Sequence, residues 1–132
     1  MLIGIPLLLW LLTLAPPALT QQAAPVVAES RTAGNAGVAA LAARLDSSRH
    51  YLLQIDGPPG VPFTARYLSV HVGRSPDPSQ TGNDDGSFDA TTPYEQELVA
   101  PRSDLLYWRY SIVVDPQQPA QLAVRIIDLG PR

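Results

Sequence analysis

LLYWRYSIVV, residues 105–114, places Leu106, Trp108, Tyr110, Ile112 and Val114 at every second position. Successive side chains of a strand leave on opposite faces, so this run predicts an extended segment with one continuous apolar face. The same period governs most of the chain from Arg49 onward. HYLLQI (50–55) sets Tyr51, Leu53 and Ile55 against His50, Leu52 and Gln54. FTARYLSVHV (63–72) carries Leu68, Val70 and Val72 on one face. YEQELVA (94–100) sets Glu95 and Glu97 against Tyr94, Leu98 and Ala100, and QLAVRIID (121–128) turns Leu122, Val124 and Ile126 inward, away from Gln121 and Arg125. Between these runs stand Asp56-Gly57-Pro58-Pro59-Gly60, a long stretch at 73–93, Pro101-Arg102-Ser103-Asp104 and Asp115-Pro116-Gln117-Gln118-Pro119. Proline has no ladder donor, so strands stop there. Five strands with turn-forming connections predict an all-β domain, a small antiparallel β-sandwich or partly open barrel.

The N-terminal third reads differently. GVAALAARLD (37–46) spaces Val38, Leu41 and Leu45 by three and four, which predicts a short amphipathic helix covering an open end or edge of the sheets. So short a helix is stable only when docked. Residues 21–36 are rich in Ala and Gln with no apolar period, the composition of a flexible linker. The domain is therefore expected over 37–132. Residues 2–14, LIGIPLLLWLLTL, are uncharged and almost wholly apolar, a length that suits an export signal better than a span of roughly 20 residues. Small residues at 18 and 20 suit cleavage after Thr20, giving a signal peptide over 1–20; the alternative is an uncleaved anchor over 2–19. Either way the remainder is expected outside the cytoplasm, periplasmic or secreted, with the membrane touched only through that segment.

Cysteine is absent, so thiolate chemistry and disulfides are excluded and the domain must hold by packing alone. A net charge of −3 without a basic run argues against nucleic acid as a partner. The order of features, a strand entering IDGPPG, then ARYLSV, then TTPYEQELVAP before an aromatic-aliphatic strand and a closing LAVRIID, resembles the small MmpS-type domains over residues 50–128. Those are membrane-anchored β-sandwiches accompanying lipid exporters of the RND class. The resemblance implies a sandwich and an envelope protein partner; the paired cysteines common in that family are missing here, and the 73–93 stretch is long and acidic.

TGNDDGSFD (81–89) is the most site-like stretch. Aligned on Gly86, an EF-hand would need ligands at Thr81 and Thr92 and flanking helices, so it is not one. A looser oxygen cage from Asp84, Asp85 and Asp89 is the metal-binding alternative for the acidic loop 75–93; the competing reading is a plain surface loop built from turn residues. Asp77, Asp84, Asp85, Asp89, Glu95 and Glu97 make up half of the chain's acids, with Arg74 the only base among them, a face suited to a basic partner or simply to solvent. Pairing of 50–56 with 65–71 across the Gly-Pro turn would set His50 opposite His71, two imidazoles able to share a metal if a third ligand joined them. Tyr107 and Arg109, opposite Trp108, would form a stacking surface with Tyr94 or Tyr67. No nucleophile elbow, HExxH or phosphate-cradling loop is present. The expectation is an exported domain of the cell envelope without catalytic residues or a cofactor, acting by binding or as an accessory part. Its alternative is a ligand- or divalent-metal-binding module using the acidic loop.

Overall fold

A computed structural model describes residues 24–32, 37–77 and 81–132, and every regular element among them is a strand. In chain order these are β1 (Val26–Arg31), β2 (Ala39–Asp46), β3 (Arg49–Asp56), β4 (Pro62–Gly73), β5 (Gly82–Thr91), β6 (Tyr94–Leu98), β7 (Leu105–Pro116) and β8 (Ala123–Pro131). They form two four-stranded sheets, ordered β1-β8-β3-β6 (sheet A) and β2-β7-β4-β5 (sheet B), and all pairs are antiparallel. The inner faces interleave into one core. β3 buries Tyr51, Leu53 and Ile55, β7 buries Trp108, Tyr110, Ile112 and Val114, and Leu122, Val124 and Ile126 meet them from the β8 side. Each fully buried aliphatic or Phe side chain contributes about 1.5–3 kcal/mol. The strand alternation read from 50–55, 94–100 and 121–128 is the alternation observed.

Three expectations of secondary structure are corrected. Residues 39–46 are strand β2, not a helix. An offset of four, as between Leu41 and Leu45, satisfies both a helical face and a strand face, and Ala39 and Ala43 complete the alternate set that turns inward. β2 pairs with β7 over its whole length, so the apolar strand 105–114 gains a ladder partner that a helix would not supply. Second, β1 occupies residues 26–31 inside the expected linker; Ala28 and Ser30 turn inward beside Ile126 and Val124, and these small residues carry no hydrophobic period. The sandwich therefore begins before residue 37. The rest of that linker and the 1–20 segment lie largely outside the described residues, as do any signal and anchor. Third, 82–91 is strand β5, not a loop, paired with β4 along its length as the edge of sheet B.

The 57–61 turn joins β3 of sheet A to β4 of sheet B, so these strands face each other instead of pairing. Facing places Leu53 and Ile55 across the core from Phe63 and Ala65. Gly57 permits the turn to close, because a Cβ there would stand 2.5 Å from Leu122 Cδ2. Thr92 ties the turn to the β5–β6 corner: its Oγ1 accepts from Val61 N (3.0 Å) and donates to Pro58 O, while its carbonyl accepts from Gly60 N (2.8 Å). Thr32 plays the same part after β1, its Oγ1 accepting from Leu122 N at 2.9 Å and donating to Ala120 O at 3.2 Å. At the start of β7, the register shifts between Val72 and Gly73, so Leu105 is buried and Leu106, expected inward, is exposed.

Candidate functional site

β5 answers the question raised by TGNDDGSFD. Asp84 lies opposite Ser69, Asp85 opposite Leu68 and Asp89 opposite Thr64. Neighbouring residues of a strand point to opposite faces, so Asp84 turns toward the inner face while Asp85 and Asp89 turn outward. Asp89 accepts a hydrogen bond from Thr64 Oγ1 at 2.6 Å on that outer face. The three carboxylates do not converge on a common point. No group of three His, Asp or Glu able to hold a metal ion occurs among the described residues. Gly86, the centre of the supposed loop, sits opposite Tyr67, and a Cβ there would stand 2.7 Å from the phenol oxygen. Glycine is used here because the Tyr67 ring lies across the β5 backbone. The inward Phe88 stacks on Tyr94 of β6 at 5.1 Å and 30°, bringing the two acidic edge strands together.

The histidines are separated. His50 lies on the outer face of sheet A, its Nδ1 2.7 Å from Glu97 Oε1. His71 lies on the inner face of sheet B opposite Trp108, is 9 % exposed, and its Nε2 has no hydrogen-bond partner. Of the expected stacking surface, Tyr107 and Arg109 share the outer face of sheet B, where the Arg44 guanidinium lies 3.8 Å over the Tyr107 ring. Tyr94 does not join them. It faces the core, edge-on to Phe63, and burial pushes its phenol pKa up. Tyr67 also turns inward, stacked on Tyr110 at 6.0 Å and 16°.

Those inward tyrosines define the cleft that sequence reasoning missed. It opens between the β5 and β6 edges and has a volume of about 190 Å³. Tyr67, Leu98, Trp108 and Tyr110 form its apolar floor; Ser69, Asp84 and Gln96 supply its polar groups, and Glu97 borders it with a carboxylate turned to His50 on the outer face of sheet A. An apolar cavity of roughly 150 Å³ accommodates a benzene, so the cleft has room for one ring-sized group. Ser69 and Tyr110 are only 6 % and 5 % exposed. Burial holds the Tyr110 phenol far above the ordinary tyrosine range, with Tyr67 and Tyr94 adding to the shift, so it stays a neutral hydroxyl. No arginine or histidine lines the cleft. The signal in the sequence was the even-numbered set of β5, Asp84, Gly86, Phe88 and Ala90, which follows a strand period once β4 is recognised as its partner.

No protein-family model matches the chain, and no curated protein matches it either. Among solved structures, the chain is similar to PirA with 12 % identity and a TM-score of 0.39, covering 76 % of this chain and 91 % of that one. A carbohydrate-binding module of the β-sandwich superfamily has 12 % identity and a TM-score of 0.41, covering 76 % of this chain and 45 % of that one. A family two carbohydrate esterase from Cellvibrio japonicus has 10 % identity and a TM-score of 0.43, covering 84 % of this chain and 30 % of that one. The chain thus spans less than half the length of the last two. At these values the sandwich rests on this chain's own pairing and packing.

Proposed function

We propose that this protein is an exported, non-catalytic binding domain whose ligand enters the cleft between β5 and β6. The observation that carries the reading is the aromatic floor with hydroxyl, amide and carboxylate groups around it. Aromatic faces take the C–H faces of a ring, and the acceptors Asp84 and Gln96 take hydroxyl protons. With acidic groups and no cation in the lining, the ligand is neutral and hydroxyl-rich, of the saccharide class, and an anionic sugar is disfavoured. Ser69 and His71 share a face, yet among the described residues His71 Nε2 has no hydrogen-bond partner, so it does not act on the Ser69 hydroxyl. An accessory place beside an envelope protein belongs to the same reading and follows from the MmpS-type resemblance.

Trp108 floors the cleft, so its emission reports occupancy. A Trp10→Phe chain titrated with neutral mono- and disaccharides is expected to show a saturable change in emission. Tyr67→Ala and Asp84→Asn should weaken it, and glucuronic acid should not produce it. No response to any neutral sugar at tens of millimolar, or a response unaffected by both substitutions, would sink the reading.

A further inference from the structure

The arginines sort into two groups. Arg31, Arg49, Arg102 and Arg125 pair with carboxylates, and Arg74 and Arg132 donate to the backbone carbonyls of Leu105 and Ser47. Arg44, Arg66 and Arg109 have no ion pair or hydrogen bond among the described residues, and all three stand on the outer face of sheet B. Arg44 and Arg109 are directly opposite each other across β2 and β7. Like charges at directly opposed positions destabilise a sheet, so the fold gains nothing from this pair. Among the described residues four carboxylates share that face and none forms an ion pair with either arginine: Asp46 accepts from Ser48, Asp89 accepts from Thr64, Asp85 lies opposite Leu68 and Asp115 opposite Thr64. Beside the pair lies a shallow depression of about 400 Å³, lined by Ala42, Leu68, Val70 and Ser111 as well as the two arginines. Leu68 is 41 % exposed there.

From this arrangement we infer a second binding site, for a small anionic amphiphile. Its carboxylate or phosphate headgroup sits between Arg44 and Arg109, and its apolar part lies over Ala42, Leu68 and Val70. Guanidinium groups present planar forks of N–H donors that match two oxygens of an oxyanion. The contact with the Tyr107 ring holds the Arg44 guanidinium on this face, and its N–H donors make no hydrogen bond among the described residues. An oxyanion between the two arginines removes their mutual repulsion. The small side chains of Ala42 and Ser111 leave the space beside it, and Leu68 and Val70 give that space an apolar wall. This site lies on the outer face of sheet B, away from the saccharide cleft, and does not depend on it.

The test uses the full chain and calorimetric titration with octanoate and octyl phosphate, each below its micellar concentration. Acetate and inorganic phosphate separate the headgroup from the chain, octanol separates the chain from the charge, and comparing the two octyl anions distinguishes a carboxylate from a phosphate source. Expected are tighter binding of at least one octyl anion than of its short counterpart or octanol, and a loss of at least tenfold in Arg44→Gln and in Arg109→Gln. Leu68→Ser should flatten the dependence on chain length. Arg31→Gln, on sheet A, should leave binding intact. Arg109→Gln should not lower the melting temperature, because it relieves a like-charge pair without removing the Arg44 contact with Tyr107. Octyl anions bound equally by wild type and both variants, or binding carried by octanol alone, would overturn the proposal. So would a self-association broken by Arg109→Gln in a chain that takes up neither octyl anion, since the acidic β5 edge of a second copy would then be the occupant.

Discussion

Gly86→Ala should change the sign of its effect according to what occupies position 67. A glycine in a strand interior is roughly 0.5–1 kcal/mol worse than alanine, so the substitution by itself should stabilise β5. Here the new Cβ would stand 2.7 Å from Tyr67 Oη, 2.9 Å from Cζ and 3.0 Å from Cε1. The ring must swing off the strand. Its stack on Tyr110 is then lost, about 0.5–1.5 kcal/mol beyond area burial, together with part of the ring's own burial. Set against the strand gain, the net cost in the natural chain is on the order of 1 kcal/mol. In a Tyr67→Ala background no ring is displaced, and Gly86→Ala should stabilise by roughly 0.5–1 kcal/mol. The coupling between the two positions is then about 1–2 kcal/mol, within the range measured for residues in contact. Urea unfolding of all four chains at 25 °C gives each value from the midpoint at constant slope. The same sign in both backgrounds, with coupling under about 0.5 kcal/mol, would refute the placement of the Tyr67 ring over β5.

Three further outcomes are expected. Trp108, 2 % exposed and edge-on to Tyr51 at 6.2 Å, should emit in the blue in a Trp10→Phe chain and resist iodide, and Trp108→Ala should cost ~3–5 kcal/mol in chemical denaturation. Millimolar Ca²⁺ should leave the melting temperature unchanged, with or without Asp84→Asn, Asp85→Asn and Asp89→Asn together; a bound cation would add about 2.7 kcal/mol at a hundredfold excess over its dissociation constant, a shift of many degrees. The Arg49 guanidinium hydrogen-bonded to Asp128, helped by the Gly130 N–H, holds the Asp128 carboxyl below the usual range. A depressed folded-state pKa stabilises above the unfolded value of about 3.9 and loses that contribution as pH falls through the folded value. Asp128→Asn should therefore lower the melting temperature at neutral pH, with a deficit that shrinks on acidification below about pH 4.

Much of the core was legible because burial leaves a period. Strands 50–55, 105–114 and 121–128 each carry a run of large apolar residues on one face, and no other element type accommodates that alternation. The missed elements lack such a run. β2 is alanine-rich, β1 turns Ala28 and Ser30 inward, and β5 is composed of residues that turns also use. Edge strands bury less and pack on one flank only, so their sequences need not be strongly apolar, and their charges discourage further pairing. The candidate sites failed for a related reason. Nearness in sequence brought Asp84, Asp85 and Asp89 together on paper, whereas strand alternation parts them.

By itself the sequence determined that this is an all-β chain without thiol chemistry, held by apolar packing, because those conclusions follow from period and composition alone. It also settled which residues of 50–55 and 121–128 turn inward, but not those of β4, whose Leu68, Val70 and Val72 face outward. Only the tertiary structure decided partners. Whether the Gly-Pro turn pairs β3 with β4 or lays one over the other depends on what else can satisfy their edges, and β6, β7 and β8 do so from far along the chain. That choice separates His50 from His71, seats Tyr67 across Gly86 and sets Arg44 against Arg109. Side-chain direction is a local property of a strand. Which side chains meet is fixed by ladders between residues distant in sequence, and no local pattern records them.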